Sequence, residues 1–312
     1  MTAHADDTRP IVLLVNPSAG GGRARRERAR AVAALEQIGA IDVVESRSAR
    51  DETRVAREAA QANARALVVL GGDGAVSHAA RGLVEAHSPV PLAILAAGTG
   101  NDFVKSLRTP SHDYTAMAAL IARGRTRAID VGSVDDIPFV NSAGFGYDVD
   151  VLERMQRAPS SLLLRGAAQY IVTALRQLFR YQGFHAELVA NTSSVAMEPT
   201  PASLQWMMLV FANGQHFGGA FHIAPTAELS NGSLDCVGIR AIPPLARLSL
   251  FARALRGAHL TDPHVQHTRE ATFDLTFAAP PAFQADGELH RAHGPRVTIR
   301  TLPGALMVID GS

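Results

Sequence analysis

Three glycine-rich segments and one late pair of carboxylates are the parts of this chain that could do chemistry. Asn16-Pro17-Ser18-Ala19-Gly20, Gly71-Gly72-Asp73-Gly74 and Gly98-Thr99-Gly100-Asn101-Asp102 each follow a short apolar run. Glycine permits positive φ and close backbone approach, so consecutive N–H groups can line one concavity and hold a phosphate without a lysine. A helix starting just beyond adds the positive end of its dipole. That suits a chain whose only lysine, Lys105, lies outside all three segments. Asp73, with glycine on both sides, is poised to meet a magnesium ion or its waters. Any one of these loops reads equally well as a tight strand-to-helix turn, but three in series read as a ligand edge. Asp286-Gly287-Glu288 is by default a surface turn. A carboxylate within reach of a hydroxyl can also take its proton during phosphoryl transfer. The P-loop G-x-x-x-x-G-K-[ST], a complete G-x-G-x-x-G and the hydrolase G-x-S-x-G are all missing from the sequence.

The elements that must position these residues fall into two groups. Ile11–Val15, Ile41–Val44, Ala66–Leu70 and Leu92–Leu95 read as buried strands. Helices over Arg23–Ile38, Thr53–Asn63 and Ala75–Ala86 alternate with them. This rhythm predicts a mainly parallel α/β sheet, which binds ligands beyond the carboxyl ends of its strands. The glycine segments sit at those ends. After about Asp130 the chain becomes strand-rich, at Phe139–Phe145, Phe184–Val189, Leu204–Ala212, Leu234–Ile239, Thr272–Phe277 and Val297–Leu302. Leu162–Phe179 and Leu245–Leu255 are its clear helices, and Asn191–Pro201 reads as a loop. The fold class expected is α/β plus all-β. An α/β domain spans residues 1–133 and an antiparallel β-sandwich spans 134–302, with 303–312 free to pack back onto the first.

Length and composition agree. A chain of 312 residues suggests two domains, and 47% hydrophobic residues is far too apolar for disorder. Thirty basic against 29 acidic residues give a net charge of +1, so no overall field argues for nucleic acid. A single cysteine, Cys236, excludes an internal disulfide or a multi-cysteine metal site and fits a reducing cytoplasm. Met1–Pro10 lacks the apolar core of a secretory signal. No run of about 18 apolar residues occurs, so no membrane span is expected. His264 with His267, and His290 with His293, are spaced three apart but lack an assignable third ligand. Arg23, Arg25, Arg26, Arg28 and Arg30 read mainly as a solvated helix face. The apolar stretch Leu162–Phe179, with Arg165, Arg176 and Arg180, reads as core packing or as a face resting on anionic lipid.

The ordered set N-P-S-A-G, G-G-D-G, G-T-G-N-D-F, N-G-x-x-F-G-G, P-x-A, N-G-x-L-D and D-G-E resembles the diacylglycerol kinase catalytic family. It is most similar to the soluble bacterial lipid kinases, relatives of sphingosine and ceramide kinases. The resemblance runs from Ile11 to the C-terminus. It implies a three-layer nucleotide-binding domain like those of NAD kinases and phosphofructokinases, a β-sandwich lipid domain, and an ATP- and magnesium-dependent phosphotransferase making phosphatidic acid from diacylglycerol. By the same resemblance the ATP site would use Asn16, Pro17, Ser18, Ala19, Gly20, Ser46, Gly71, Gly72, Asp73, Gly74, Ala75, Ser77, Gly98, Thr99, Asn101 and Asp102. Asp73 would lie nearest the phosphates and the catalytic magnesium, and Glu288, supported by Asp286, would be the base. Glu228, Asn231 and Ser233 match a structural magnesium loop. The partners implied are a lipid substrate, the inner membrane face, no nucleic acid, and a second copy as an open option. The pattern departs at Ala75, Ser77, His78 and Asn231, where the family has threonine, asparagine, glutamate and aspartate. Those departures keep open a nucleotide-binding protein without turnover. An NAD kinase would share G-G-D-G but carries an N-E dipeptide that is absent here.

Overall fold

The computed structural model describes residues 8–48, 50–157, 167–190 and 204–311. The chain divides into two compact units, Met1–Val131 with Pro303–Ser312, and Gly132–Leu302. In the first unit the elements run β1 (Ile11–Val15), α1 (Ala19–Glu36), β2 (Ile41–Glu45), α2 (Asp51–Gln61), β3 (Ala66–Gly71), α3 (Asp73–Glu85), β4 (Leu92–Ala96), α4 (Asp102–Leu107) and α5 (Tyr114–Arg123). β5 (Thr126–Val134) then leads into the second unit. Strands β2, β1, β3 and β4 pair in that order, all parallel. The residues of β1, β3 and β4 are apolar on both faces because helices cover both faces, whereas the edge strand β2 carries exposed Asp42 and Glu45. Leu13, Val15, Val68 and Leu70 pack with Leu35 of α1 and Met117 and Ile121 of α5. Leu14, Leu67 and Val69, pointing the other way, are equally buried. Strands β1, β3 and β4 each end where a glycine segment begins, as the alternation predicted.

The second unit continues with β6 (Ile137–Phe139), β7 (Ser142–Gly146), α6 (Tyr147–Arg157), α7 (Ala167–Arg180), β8 (Phe184–His185), β9 (Glu187–Ala190), β10 (Gln205–Ala212) and β11 (Leu234–Arg240). There follow α8 (Pro244–Ala254), β12 (Val265–Glu270), β13 (Thr272–Thr276), β14 (Ala282–Ala285), β15 (Glu288–Arg291) and β16 (Arg296–Ile309). One antiparallel sheet has the order β12-β11-β10-β7-β14-β15. Opposite it, β13 pairs antiparallel with β9 and with the first half of β16. Trp206, Phe145, Phe211, Phe273 and Phe283 fill the space between the layers. The outer face of the β10–β11 sheet carries Met208, Val210, Val237 and Ile239, covered by Tyr147 and Val151 of α6, Leu178 of α7 and Leu250 of α8. A register shift between Trp206 and Met208 puts Trp206 on the inner face with Leu209 and Phe211, rather than outside with Met208 and Val210.

The sandwich was expected, but several of its parts differ. The strand expected over Phe139–Phe145 is two strands, broken at Val140–Asn141, whose N–H groups turn to Asp286. Helix α6 was not expected, because Tyr147-Asp-Val-Asp-Val151 alternates as a strand would. The final strand runs past Leu302 to Ile309. Residues 162–166 of the expected helix, the whole of the expected 191–201 loop, and Met1–Asp7 lie outside the described residues.

Candidate active site

At the carboxyl end of the parallel sheet the three glycine segments meet. Gly20, Gly21 and Gly22 hold φ of 58°, 63° and 85°, so the chain leaves β1 through a left-handed run before α1 becomes regular at Arg23. A Cβ on Gly20 would stand 2.0 Å from the Ala97 carbonyl oxygen, and one on Gly98 would stand 2.5 Å from Gly72 Cα. Only glycine lets these backbones touch. Asn16 closes the first loop. Its Oδ1 accepts from Ser18 N and Oγ, at 3.1 and 2.8 Å, and its Nδ2 donates to the buried Glu52 at 3.0 Å. Pro17 and Ala19 complete that turn, with the Ala19 N–H donating to the Asn16 carbonyl. Ser46, just past β2, donates its N–H to the Val15 carbonyl at 2.9 Å.

Asp73 opens α3 and reaches the next loop. Its two oxygens accept the N–H groups of Asn101 and Asp102, each at 2.7 Å. Burial pushes this carboxyl above its usual pKa and the nearby Asp102 charge adds to that, while the N–H groups of Asn101, Asp102 and Phe103 oppose both. The Asn101 side chain grips Gly98 N and O, both at 3.1 Å, and Asp102 pairs with Lys105 at 2.8 Å. Beside this loop lies a cavity of about 510 Å³, lined by Gly98, Thr99 and Asn101 together with Arg23, Lys105, Arg108 and His112. Four basic side chains around glycine backbone make it suited to a polyanion. Asp73 stands behind Asn101 rather than on the cavity wall. Gly74 leaves open space on the first turn of α3, whereas Ala75, Ser77 and His78 are buried in that helix.

In the second unit, Asp286 and Glu288 flank the β14–β15 turn. Asp286, at φ 50°, accepts N–H groups from Val140 and Asn141 at 2.9 Å each and from Ser142 at 3.1 Å. Its own N–H donates to the Ser142 carbonyl at 2.8 Å. That carboxylate is an anchor for the β6–β7 connection. Glu288 is partly exposed, with Oε2 3.9 Å from His290 Nε2, and the His290 ring stacks on Phe283 at 5.3 Å. Both acids are half-buried, and it is Asp286 whose two carboxylate oxygens are both taken by backbone N–H groups.

The Asn231 loop does not suit a hard cation. Asn231 Oδ1 accepts from Ser233 N and Oγ at 3.0 and 2.9 Å, and Glu228 is an exposed carboxylate. A neutral amide already engaged twice lacks the charge that magnesium favours. A guanidinium ties the same region together instead. Arg269 bridges the Thr226 carbonyl and buried Asp235, which also accepts from His267 at 2.6 Å and Thr226 at 2.8 Å. Burial alone would raise the Asp235 pKa, and these donors outweigh it and hold it low. No group of three or more metal-ligating side chains occurs among the described residues. His267 is thus committed to Asp235, and His264 pairs with Asp262.

Residues 10–134 match the family described as the diacylglycerol kinase catalytic domain, and 141–310 match the YegS C-terminal NAD kinase beta sandwich-like domain. A "Diacylglycerol kinase" of Mycobacterium tuberculosis (strain ATCC 25618 / H37Rv) is 30% identical over 96% of this chain and 94% of its own length. The chain belongs to the diacylglycerol kinase family. A "Diacylglycerol kinase" of Bacillus subtilis (strain 168) is 25% identical, covering 88% of each chain. The crystal structure of a diacylglycerol kinase from Bacillus anthracis str. Sterne shares the fold, with a TM-score of 0.73 over 98% of both chains at 19% identity. As a member of this family the protein is a lipid kinase, which implies ATP use. No helix among the described residues is long and apolar enough to cross a membrane.

Several residues of this candidate site were not singled out by the sequence. Lys105 lies outside the loops in sequence, yet one turn of α4 carries it to the cavity. Arg108 and His112 follow on the same connection, and the basic residues within ten positions of G-T-G-N-D were the available signal. Glu52 had none, because its partner Asn16 lies 36 residues away.

Proposed function

We propose that this lipid kinase phosphorylates a diacylglycerol hydroxyl, with ATP held on the glycine loops of the first unit. The observation that carries this reading is the junction of Gly20, Gly72 and Gly98 beside a basic cavity, in a chain of this family. When bound, ATP supplies the γ-phosphoryl group and magnesium neutralises its charge. The residues fit a triphosphate, since glycine backbones and the start of α3 offer N–H groups while Arg23, Lys105 and Arg108 offer charge. Asp73 orients the Asn101–Asp102 loop through its two short bonds, and would be the carboxylate to meet magnesium through its waters. Glu288 would accept the proton of the lipid hydroxyl as that oxygen bonds to the γ-phosphorus and the bond to the departing ADP breaks, and Asp286 fixes the turn that carries Glu288. Most of the rate enhancement comes from positioning and charge neutralisation.

Incubating the purified protein with labelled ATP and a lipid extract, then identifying the labelled product, tests the reading. Phosphatidic acid is the expected product, and another phospholipid would replace diacylglycerol as the substrate. A second reading, nucleotide binding without turnover, is favoured by the burial of Ala75 and Ser77 in α3. Nucleotide binding with no labelled lipid would select it.

A further inference from the structure

Every large apolar side chain left exposed among the described residues lies on or beside two helices of the second unit. They are Val172, Leu175 and Phe179 on α7, Leu245 and Leu248 on α8, and Leu255 just beyond it. Scattered exposed leucines are ordinary, but a cluster confined to one helix pair is not scatter. The spacing of 172, 175 and 179 puts that set on one face of α7, while Gln177 and Leu178 face inward and are buried. Arg247 fastens the two helices together. Its guanidinium donates to the Leu178 and Tyr181 carbonyls at the end of α7, at 2.8 and 2.7 Å. The apolar side chains are therefore presented by a fixed pair of helices.

The charge on this face has one sign. No acidic residue occurs in 167–186 or 236–261, while exposed Arg176 and Arg180 sit among the apolar residues of α7 and Arg256 follows α8. The acids nearest in the packing are engaged, Asp150 of α6 by Arg154 and Gln177, and Asp262 by Arg253. Apolar side chains rimmed by arginine and free of carboxylates match the boundary of an anionic bilayer. A protein partner of ordinary composition would not select against acidic residues over both stretches.

We propose that α7 and α8 form the platform on which the protein rests on an anionic lipid bilayer. The leucines and Phe179 enter the boundary between headgroups and acyl chains, and Arg176, Arg180 and Arg256 meet lipid phosphates. The choice of a lipid surface rests on the lipid-kinase reading, so the test measures binding without turnover. The full chain, without nucleotide, is co-sedimented with vesicles of phosphatidylcholine alone and of phosphatidylcholine with phosphatidylglycerol. The wild type is expected to pellet with the anionic vesicles and to be released by salt. Leu175→Glu with Phe179→Glu, and separately Leu245→Glu with Leu248→Glu, lose that binding while keeping the wild-type melting temperature, since these side chains are exposed. Arg176→Gln with Arg180→Gln weakens binding and reduces its salt dependence. Equal pelleting of wild type and glutamate variants, or no pelleting of the wild type, overturns the proposal. So does a wild-type dimer in sedimentation velocity that the glutamate variants dissociate, because a second copy would then cover the face. Phosphorylation of a short-chain, monomeric diacylglycerol is read in parallel. If it fails in every variant and the wild type, the substrate reading falls while the vesicle result still decides the platform.

Discussion

Asp286 and Glu288 stand two residues apart and are expected to fail in different ways when changed. Asp286→Ala leaves three strand-end N–H groups without their acceptor. At roughly 1 kcal/mol or more for each unsatisfied donor, a loss of about 3 kcal/mol is expected in chemical denaturation. Glu288→Gln is nearly isosteric and should keep the wild-type denaturation midpoint while abolishing transfer from labelled ATP to lipid. Asp148, in the first turn of α6, is a third informative carboxyl. Burial pushes its pKa up to about 6, against the Val149 N–H and the Gln284 amide. The unfolded chain ionises this group near 3.8, so between the two values the folded protein holds the extra proton and stability falls as pH rises. That gap is worth about 3 kcal/mol. Asp148→Asn should therefore melt higher than wild type at neutral pH and match it below about pH 4, as thermal melts across pH will show. The D-G-E motif was legible in the sequence. The division of labour within it was not, because the partners of Asp286 lie some 145 residues earlier.

At the scale of elements, the parallel strands β1, β3 and β4 were legible because each is a short apolar run leading into a glycine segment. Strands such as β12, Val-Gln-His-Thr-Arg-Glu, were not, because an edge strand with one covered face alternates with charge and resembles a loop. Helix α6 was hidden for the opposite reason. Its valines favour extended chain, and packing of Val151 and Tyr147 onto the β10 face overrides that preference. The glycine junction offers a direct test at this scale. Gly20→Ala places a Cβ against the Ala97 carbonyl in a left-handed backbone, so the first loop must move. A clear rise in the KM for ATP is expected, with a smaller loss of stability. Gly21→Ala, with nothing within 4 Å of its Cβ, should keep more of the affinity. Titrating both variants with nucleotide by calorimetry checks the order.

For the whole molecule, the first unit is completed by residues that follow the second. Val308 of β16 pairs with Leu92 of β4, Gly304 N donates to buried Asp130 at 2.9 Å, and Leu306, Val308 and Ile309 are buried. A chain cut after Leu302 would leave β4 as a bare sheet edge. It is expected to aggregate or to be cleaved within residues 8–131, which limited proteolysis with mass spectrometry will show. This closing strand was readable only as far as Leu302, because Pro303 and Gly304 look like a stop, whereas the strand passes through them. The same arrangement bears on birth order at the ribosome. Domains ordinarily collapse one after another as they emerge, the earlier before the later. Here the earlier one must wait for its missing strand until all of the later one has been translated, so a prematurely terminated product would carry the glycine loops on an unfinished scaffold.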